Sequence, residues 1–248
     1  MYNNIILNSL GSKIMALRKN KKSAVMCKII VDDPAYAKYS DGYNRLRDNI
    51  LYINADGNTK IIQVESAVAG EGKTTTVCNL GVALAKTGKK VVVVDLDFRR
   101  PRGHRFFGLN KEIGITEYIL GKEPKEKVIK QTGYENLSII TPGGEANDPT
   151  LILLSDKFKS FIKSLGETFD CVLLDCPPVL QVSDYIHICK LSDGVLFLVS
   201  YACTTKAQVS EAVEELEKNG AKLIGTAFTK YDFKKQQQVS DYYYKENA

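Results

Sequence analysis

Along most of the chain, short unbroken apolar runs alternate with segments whose apolar residues recur at helical spacing. The runs at 60–66, 90–95, 137–140, 171–175, 194–199 and 223–228 have strand length and are rich in β-branched residues. Between them, Val77, Leu80, Gly81 and Leu84 fall at i, i+3, i+4 and i+7, as do Phe158, Phe161, Ile162 and Leu165. Each set predicts a helix with one stripe facing a core. Val209, Val213 and Leu216 predict a further helix that stops at Gly220, after Asn219. Strands without polar alternation, separated by amphipathic helices, are the signature of βαβ units. The expected fold is therefore α/β, a mostly parallel central sheet with helices on both faces.

Outside this alternation the pattern changes. Tyr39, Tyr43, Leu46 and Ile50 share one helical face beside Arg45 and Arg47, which predicts an amphipathic helix ahead of the first strand, packed on its own core or on a neighbouring subunit. Residues 231–248 are polar and aperiodic, so a flexible tail is expected there, and 1–38 reads as a basic arm. The body between, 39–230, makes one catalytic domain, in keeping with a length of 248 residues.

Charge and cysteines narrow the class of protein. The formal net charge of +5 arises from the arm, because residues 1–30 hold Lys13, Arg18, Lys19, Lys21, Lys22 and Lys28 and no acid. The remainder is nearly neutral, so nucleic acid is not an expected partner. The six cysteines (Cys27, Cys78, Cys171, Cys176, Cys189 and Cys203) form no CxxC pair and mostly lie in apolar runs, as in a reduced cytoplasmic protein. No apolar run approaches the roughly 18 residues of a membrane helix, so membrane association is expected only through a partner.

The chemistry concentrates at strand ends. Ala67-Val68-Ala69-Gly70-Glu71-Gly72-Lys73-Thr74 follows one predicted strand and opens a predicted helix, the context of a phosphate-binding loop, with Ala67 in place of the first glycine. Glycines at 70 and 72 let main-chain N–H groups curl around phosphate oxygens, and the helix N-terminus adds its dipole. Ala69, Gly70, Glu71, Gly72, Lys73, Thr74 and Thr75 are the candidate ATP-binding residues. Among them Lys73 is expected to neutralise the β and γ phosphates and the Thr74 hydroxyl to complete a magnesium shell. Two further strands run into carboxylates, Asp95-Leu96-Asp97 and Asp175-Cys176-Pro177-Pro178. A buried strand seldom ends in acids without a cation to hold, which points to Mg2+. Arg99 and Arg100 read equally well as phosphate ligands or as ion-pair partners of these acids.

The loop SxxxGEGKT (Ser66 to Thr74), the motif VVVVDLDFRRP (Val91 to Pro101) and the motif VLLDCPPVL (Val172 to Leu180) together resemble the bacterial tyrosine kinases of capsule and exopolysaccharide synthesis. The resemblance runs from about Tyr39 to the tail and takes in GITEYILGK, NDPTLILLS and VSDYIHICKLSDG. It implies an ATP-dependent protein tyrosine kinase on a P-loop fold. Asp97 and Asp175 would hold magnesium with Thr74, and Asp95 would accept the tyrosine proton. Tyr242, Tyr243 and Tyr244, adjacent aromatics in a polar segment, would be phosphoacceptors offered to a neighbouring subunit, and their phosphorylation is expected to eject the tail from the acidic catalytic mouth. The implied partners are a transmembrane activator that holds the kinase at the inner face of the membrane, a tyrosine phosphatase, and other copies of the chain. Where the family carries ExxRxxR for self-association, this chain has Asp41, Asn44 and Arg47. Thr229 stands where an asparagine often meets the adenine.

The main rival is a partitioning or positioning ATPase of the same superfamily. Those enzymes usually carry an extra lysine early in the loop, where this chain has Val68. A nucleotide-binding module whose tail serves only for docking is a third reading.

Overall fold

The computed structural model describes residues 27–146, 148–201 and 203–230. Most of the expected basic arm and the whole tyrosine tail lie outside them. Among the described residues, seven strands form one sheet: β1 (Ile61–Ser66), β2 (Val91–Asp95), β3 (Lys130–Gln131), β4 (Leu137–Ile140), β5 (Cys171–Asp175), β6 (Gly194–Ser200) and β7 (Leu223–Thr229), in the order β3-β4-β2-β5-β1-β6-β7. All neighbours pair in parallel except β3 with β4. The six strands predicted from apolar runs are present to within a residue at each end. The antiparallel β3 is a two-residue edge, too short to leave a pattern in the sequence.

The helices are α1 (Ala37–Ile53), α2 (Lys73–Ala85), α3 (Gly103–Phe106), α4 (Ile115–Ile119), α5 (Lys125–Val128), α6 (Pro149–Leu154), α7 (Asp156–Thr168), α8 (Tyr185–Ile188) and α9 (Lys206–Lys218). Val77, Leu80 and Leu84 of α2 pack with Val91, Val93 and Leu173 on one face of the sheet. Phe158, Phe161, Ile162 and Leu165 of α7 pack with Val92, Val94 and Leu174 on the other. Both predicted stripes are thus core, each side chain contributing about 1.5–3 kcal/mol of burial. At the edge, β7 is only partly covered and leaves Phe228 exposed, so burial on both faces stops at β6.

Two glycines set close approaches that position the site. A Cβ on Gly81 would stand 3.1 Å from Val93 and 3.3 Å from Leu137, so α2 lies closer to the sheet than a larger residue would permit. A Cβ on Gly114 would run into the Thr141 carbonyl oxygen, while Ile115 N–H donates to that same oxygen at 2.9 Å. This contact ties α4 to the end of β4. The segment just before α1 is also fixed: Asn79 of α2 accepts from Ile30 N–H at 2.7 Å and Val31 N–H at 3.2 Å, and donates to the Lys28 carbonyl at 3.2 Å.

Candidate active site

The chain leaves β1 at Ser66 and enters α2 at Lys73 through the glycine loop. Gly70 (φ +82°) and Gly72 (φ +95°) both occupy the left-handed region, where a side chain is strained. The turn carries the start of a thirteen-residue helix to the mouth of a cleft of about 460 Å³. Ala69, Gly70, Gly72, Lys73, Thr74, Thr75 and Asp97 line that cleft. A row of main-chain amides at a helix N-terminus beside a lysine is an anion cradle.

Glu71 does something the motif did not announce. Its carboxylate turns away from the cleft and accepts from Val68 N–H at 2.7 Å, Ser200 N–H at 3.0 Å and the Thr204 hydroxyl. Its main-chain carbonyl accepts from the Thr229 hydroxyl at 2.5 Å. The loop is therefore pinned to the ends of β6 and β7, and Glu71 contributes to the cradle through its backbone alone. Lys73, almost fully buried, donates to the Ser66 hydroxyl at 2.7 Å.

Parallel register places Asp95 of β2 directly beside Asp175 of β5 at the carboxyl end of the sheet. Asp95 is fully buried. One of its oxygens accepts from Arg102 N–H (3.1 Å) and Gly103 N–H (3.0 Å), the other from Asp97 N–H (3.1 Å). Burial first, then the neighbouring Asp175, holds its carboxyl well above the usual carboxylate range. Asp175 is pushed up to about 6, by burial above all, against a hydrogen bond from Thr74 and the attraction of Lys73. Its Oδ2 is buried and has no hydrogen-bond partner among the described residues. Asp97 stands on the cleft wall, its Oδ1 accepting from Arg100 N–H at 2.9 Å.

A fourth acid, not foreseen from the sequence, lies behind Lys73. Glu65 of β1 is fully buried, accepts from the Gln63 amide at 2.7 Å, and keeps an Oε2 without a partner among the described residues. Burial lifts it to about 8, against the Gln63 hydrogen bond and Lys73.

The remaining candidates separate. The Arg99 guanidinium grips both oxygens of Asp184, a carboxylate buried to 2% exposure, which makes it an ion-pair partner that holds the loop. Arg100 lines the cleft. Arg47 bonds Asn44 (3.1 Å) and pairs with Asp48 (2.8 Å) on its own helix. Tyr242, Tyr243 and Tyr244 lie outside the described residues. Arg102, Phe106 and Lys230 also line the cleft and were missed. Lys230 follows a predicted strand at the same sheet end and is held at φ +54°, so the rule that ligands gather at strand carboxyl ends pointed to it.

The donor set suits magnesium. No group of three or more His, Cys, Asp or Glu side chains forms a ready-made metal site among the described residues. Mg2+ asks for less: one or two carboxylates, a hydroxyl, waters and phosphate oxygens. The orphaned Asp175 Oδ2 beside Thr74 is such a position.

The AAA domain family profile matches residues 59–224, which takes in the loop and both acidic strand ends. Tyrosine-protein kinase YwqD of Bacillus subtilis (strain 168) is 32% identical over 233 residues, spanning 94% of this chain and 98% of its own length. The chain belongs to the bacterial tyrosine-protein kinases. Among solved structures, the chimerical protein CapA2B2 superposes on this kinase with a TM-score of 0.77 at 28% identity, covering 84% of this chain and 94% of its own. The kinase domain of Escherichia coli tyrosine kinase ETK gives 0.77 at 27%, covering 81% and 78%. The septum site-determining protein MinD of Pyrococcus horikoshii, solved with Mg-ADP, matches at 0.60 and 28%, covering 70% and 71%. The kinase thus shares the P-loop nucleotide-binding fold with positioning ATPases while superposing better on tyrosine kinases. Among the described residues, no helix is long and apolar enough to cross a membrane.

Proposed function

We propose that this kinase transfers the γ-phosphoryl group of magnesium-bound ATP to tyrosine, with Tyr242, Tyr243 and Tyr244 of its own tail among the acceptors, and thereby regulates capsule or exopolysaccharide synthesis and export. The observation that carries the reading is the register pairing of Asp95 with Asp175 beside the Lys73 cradle, which gathers three carboxylates and an ammonium at one sheet end.

The loop amides and Lys73 hold the β and γ phosphates in place, so that positioning and charge neutralisation do most of the catalytic work. Thr74, Asp97 and Asp175 would hold Mg2+, which would supply positive charge against the phosphate oxygens. Asp95 is the base of this reading and takes the phenol proton as the tyrosine oxygen bonds to phosphorus and the bond to the ADP oxygen breaks. Arg100 faces the same cleft and adds positive charge. The other assignments of this reading are a transmembrane activator at the inner face of the membrane, an opposing tyrosine phosphatase and association between copies. The likeness to the chimerical protein CapA2B2 supports the first of these.

Peptide mapping by mass spectrometry after incubation with magnesium, ATP and the activator's cytoplasmic peptide tests the acceptor assignment. Phosphate is expected on residues 242–244 and absent when all three tyrosines are phenylalanine. A fully phosphorylated kinase with an unmodified tail overturns it.

A further inference from the structure

Beside the nucleotide cleft lies a second hollow of about 330 Å³, walled by Arg99, Arg100, Arg102, His104, Arg105 and Lys111. Among the described residues, no carboxylate lines it. Arg99 is committed to Asp184, but Arg100, Arg105 and Lys111 are exposed and form no ion pair among the described residues. His104 is pushed below its usual range by burial and then by Arg105, Lys111 and Lys130, and its Nδ1 is buried with no hydrogen-bond partner among the described residues. Concentrated positive charge beside an unpartnered imidazole nitrogen that can carry its proton as a donor calls for an anion. Arg100 and Arg102 line both hollows, so an anion here sits next to the phosphate cradle rather than on a distant face.

We infer that this hollow binds the phosphate of a phosphotyrosine in the acceptor peptide while a neighbouring tyrosine of the same peptide occupies the adjoining catalytic cleft. An aryl phosphate carries about −1.5 to −2 charges and three acceptor oxygens, the geometry that arginine side chains recognise best. Tyr242, Tyr243 and Tyr244 are consecutive, and one or two residues of extended chain span roughly 3–7 Å, a reach suited to two adjoining pockets. The acidic mouth that should eject a phosphorylated tail is only half of the surroundings. The basic half retains it, so each phosphate added favours the next. This inference rests on the tail tyrosines being acceptors, and its test separates the two.

The probes are synthetic peptides of residues 238–248, unmodified or phosphorylated at Tyr244, presented with magnesium and ATP to the full chain carrying Tyr242→Phe, Tyr243→Phe and Tyr244→Phe. The expected KM for the phosphorylated peptide is about tenfold lower than for the unmodified one. The Arg105→Ala/Lys111→Ala variant abolishes that difference while leaving kcat/KM for the unmodified peptide unchanged. Equal KM values, or a difference that survives in the variant, overturn the inference. Fluorescence anisotropy with the same peptides labelled provides a readout that needs no transfer. If neither peptide is phosphorylated, the acceptor assignment fails, whereas the hollow still stands or falls on whether the kinase binds the phosphorylated peptide through Arg105 and Lys111. Inorganic phosphate is the competing arm: displacement of the labelled peptide at equal concentration identifies a free-phosphate site and overturns the peptide assignment.

Discussion

The Thr229 hydroxyl donates to the main-chain carbonyl of Glu71 at 2.5 Å, joining the last strand to the middle of the phosphate loop across 158 residues of sequence. Thr229 therefore braces the cradle, and Gly72 packs beneath its side chain, where an added Cβ would lie 3.7 Å away. Thr229→Val removes the donor and keeps the shape. Its expected effect is a loss of about 1 kcal/mol in stability and a several-fold rise in the Kd for ATP, with Thr229→Ser close to wild type, measured by thermal melting and calorimetry.

Glu71→Ala is more damaging. It strands the Val68 and Ser200 amides that the carboxylate now satisfies. A loss of about 2–4 kcal/mol and a weakened nucleotide site are expected, because each buried unsatisfied donor costs about 1–3 kcal/mol. Chemical denaturation of the variant measures it.

The buried Glu65 makes stability depend on pH. Its folded pKa, about 8, lies above the ordinary glutamate value of 4.5, so between those limits the folded state binds the extra proton. Stability is then full below about pH 4 as far as this group is concerned, and declines as pH rises through 8. Glu65→Gln removes the ionisation, and its melting temperature should exceed wild type by several degrees at pH 8 and by little at pH 5, with about 2–4 °C for each kcal/mol.

Gly114→Ala places a methyl group against the Thr141 carbonyl at the end of β4. A backbone atom cannot swing aside, so a destabilisation of about 1–3 kcal/mol is expected by denaturant titration.

Why these features were or were not legible beforehand follows from what each depends on. The strands from 61 to 229 and the stripes of α2 and α7 could be read because burial imposes periodicity on consecutive residues. Lys73, Asp97 and Asp175 could be picked out as candidates because a phosphate loop and acidic strand ends are local patterns, and they lie at the same end of the sheet. The pairing of Arg99 with Asp184 joins residues 85 apart, and sequence left it balanced against a phosphate role. The glutamate of GEGKT gave no sign that its side chain serves the loop from behind, since its partners Ser200 and Thr204 come from another strand end. Glu65 was absorbed into an apolar run, where a single acid looks like an interruption of the pattern rather than a neighbour of Lys73.

Asp175 bears most directly on whether Lys73, Thr74, Asp97 and Asp175 form one magnesium–triphosphate site. Its lone buried oxygen destabilises the fold unless a cation is present, so Asp175→Asn should melt higher than wild type while losing the metal response. The deciding measurement is calorimetric titration of ATP with and without magnesium. Wild type should bind at least about tenfold more tightly with magnesium, and Asp175→Asn should bind equally with and without it. Magnesium-independent binding by the wild type, or an undiminished magnesium effect in Asp175→Asn, contradicts the site.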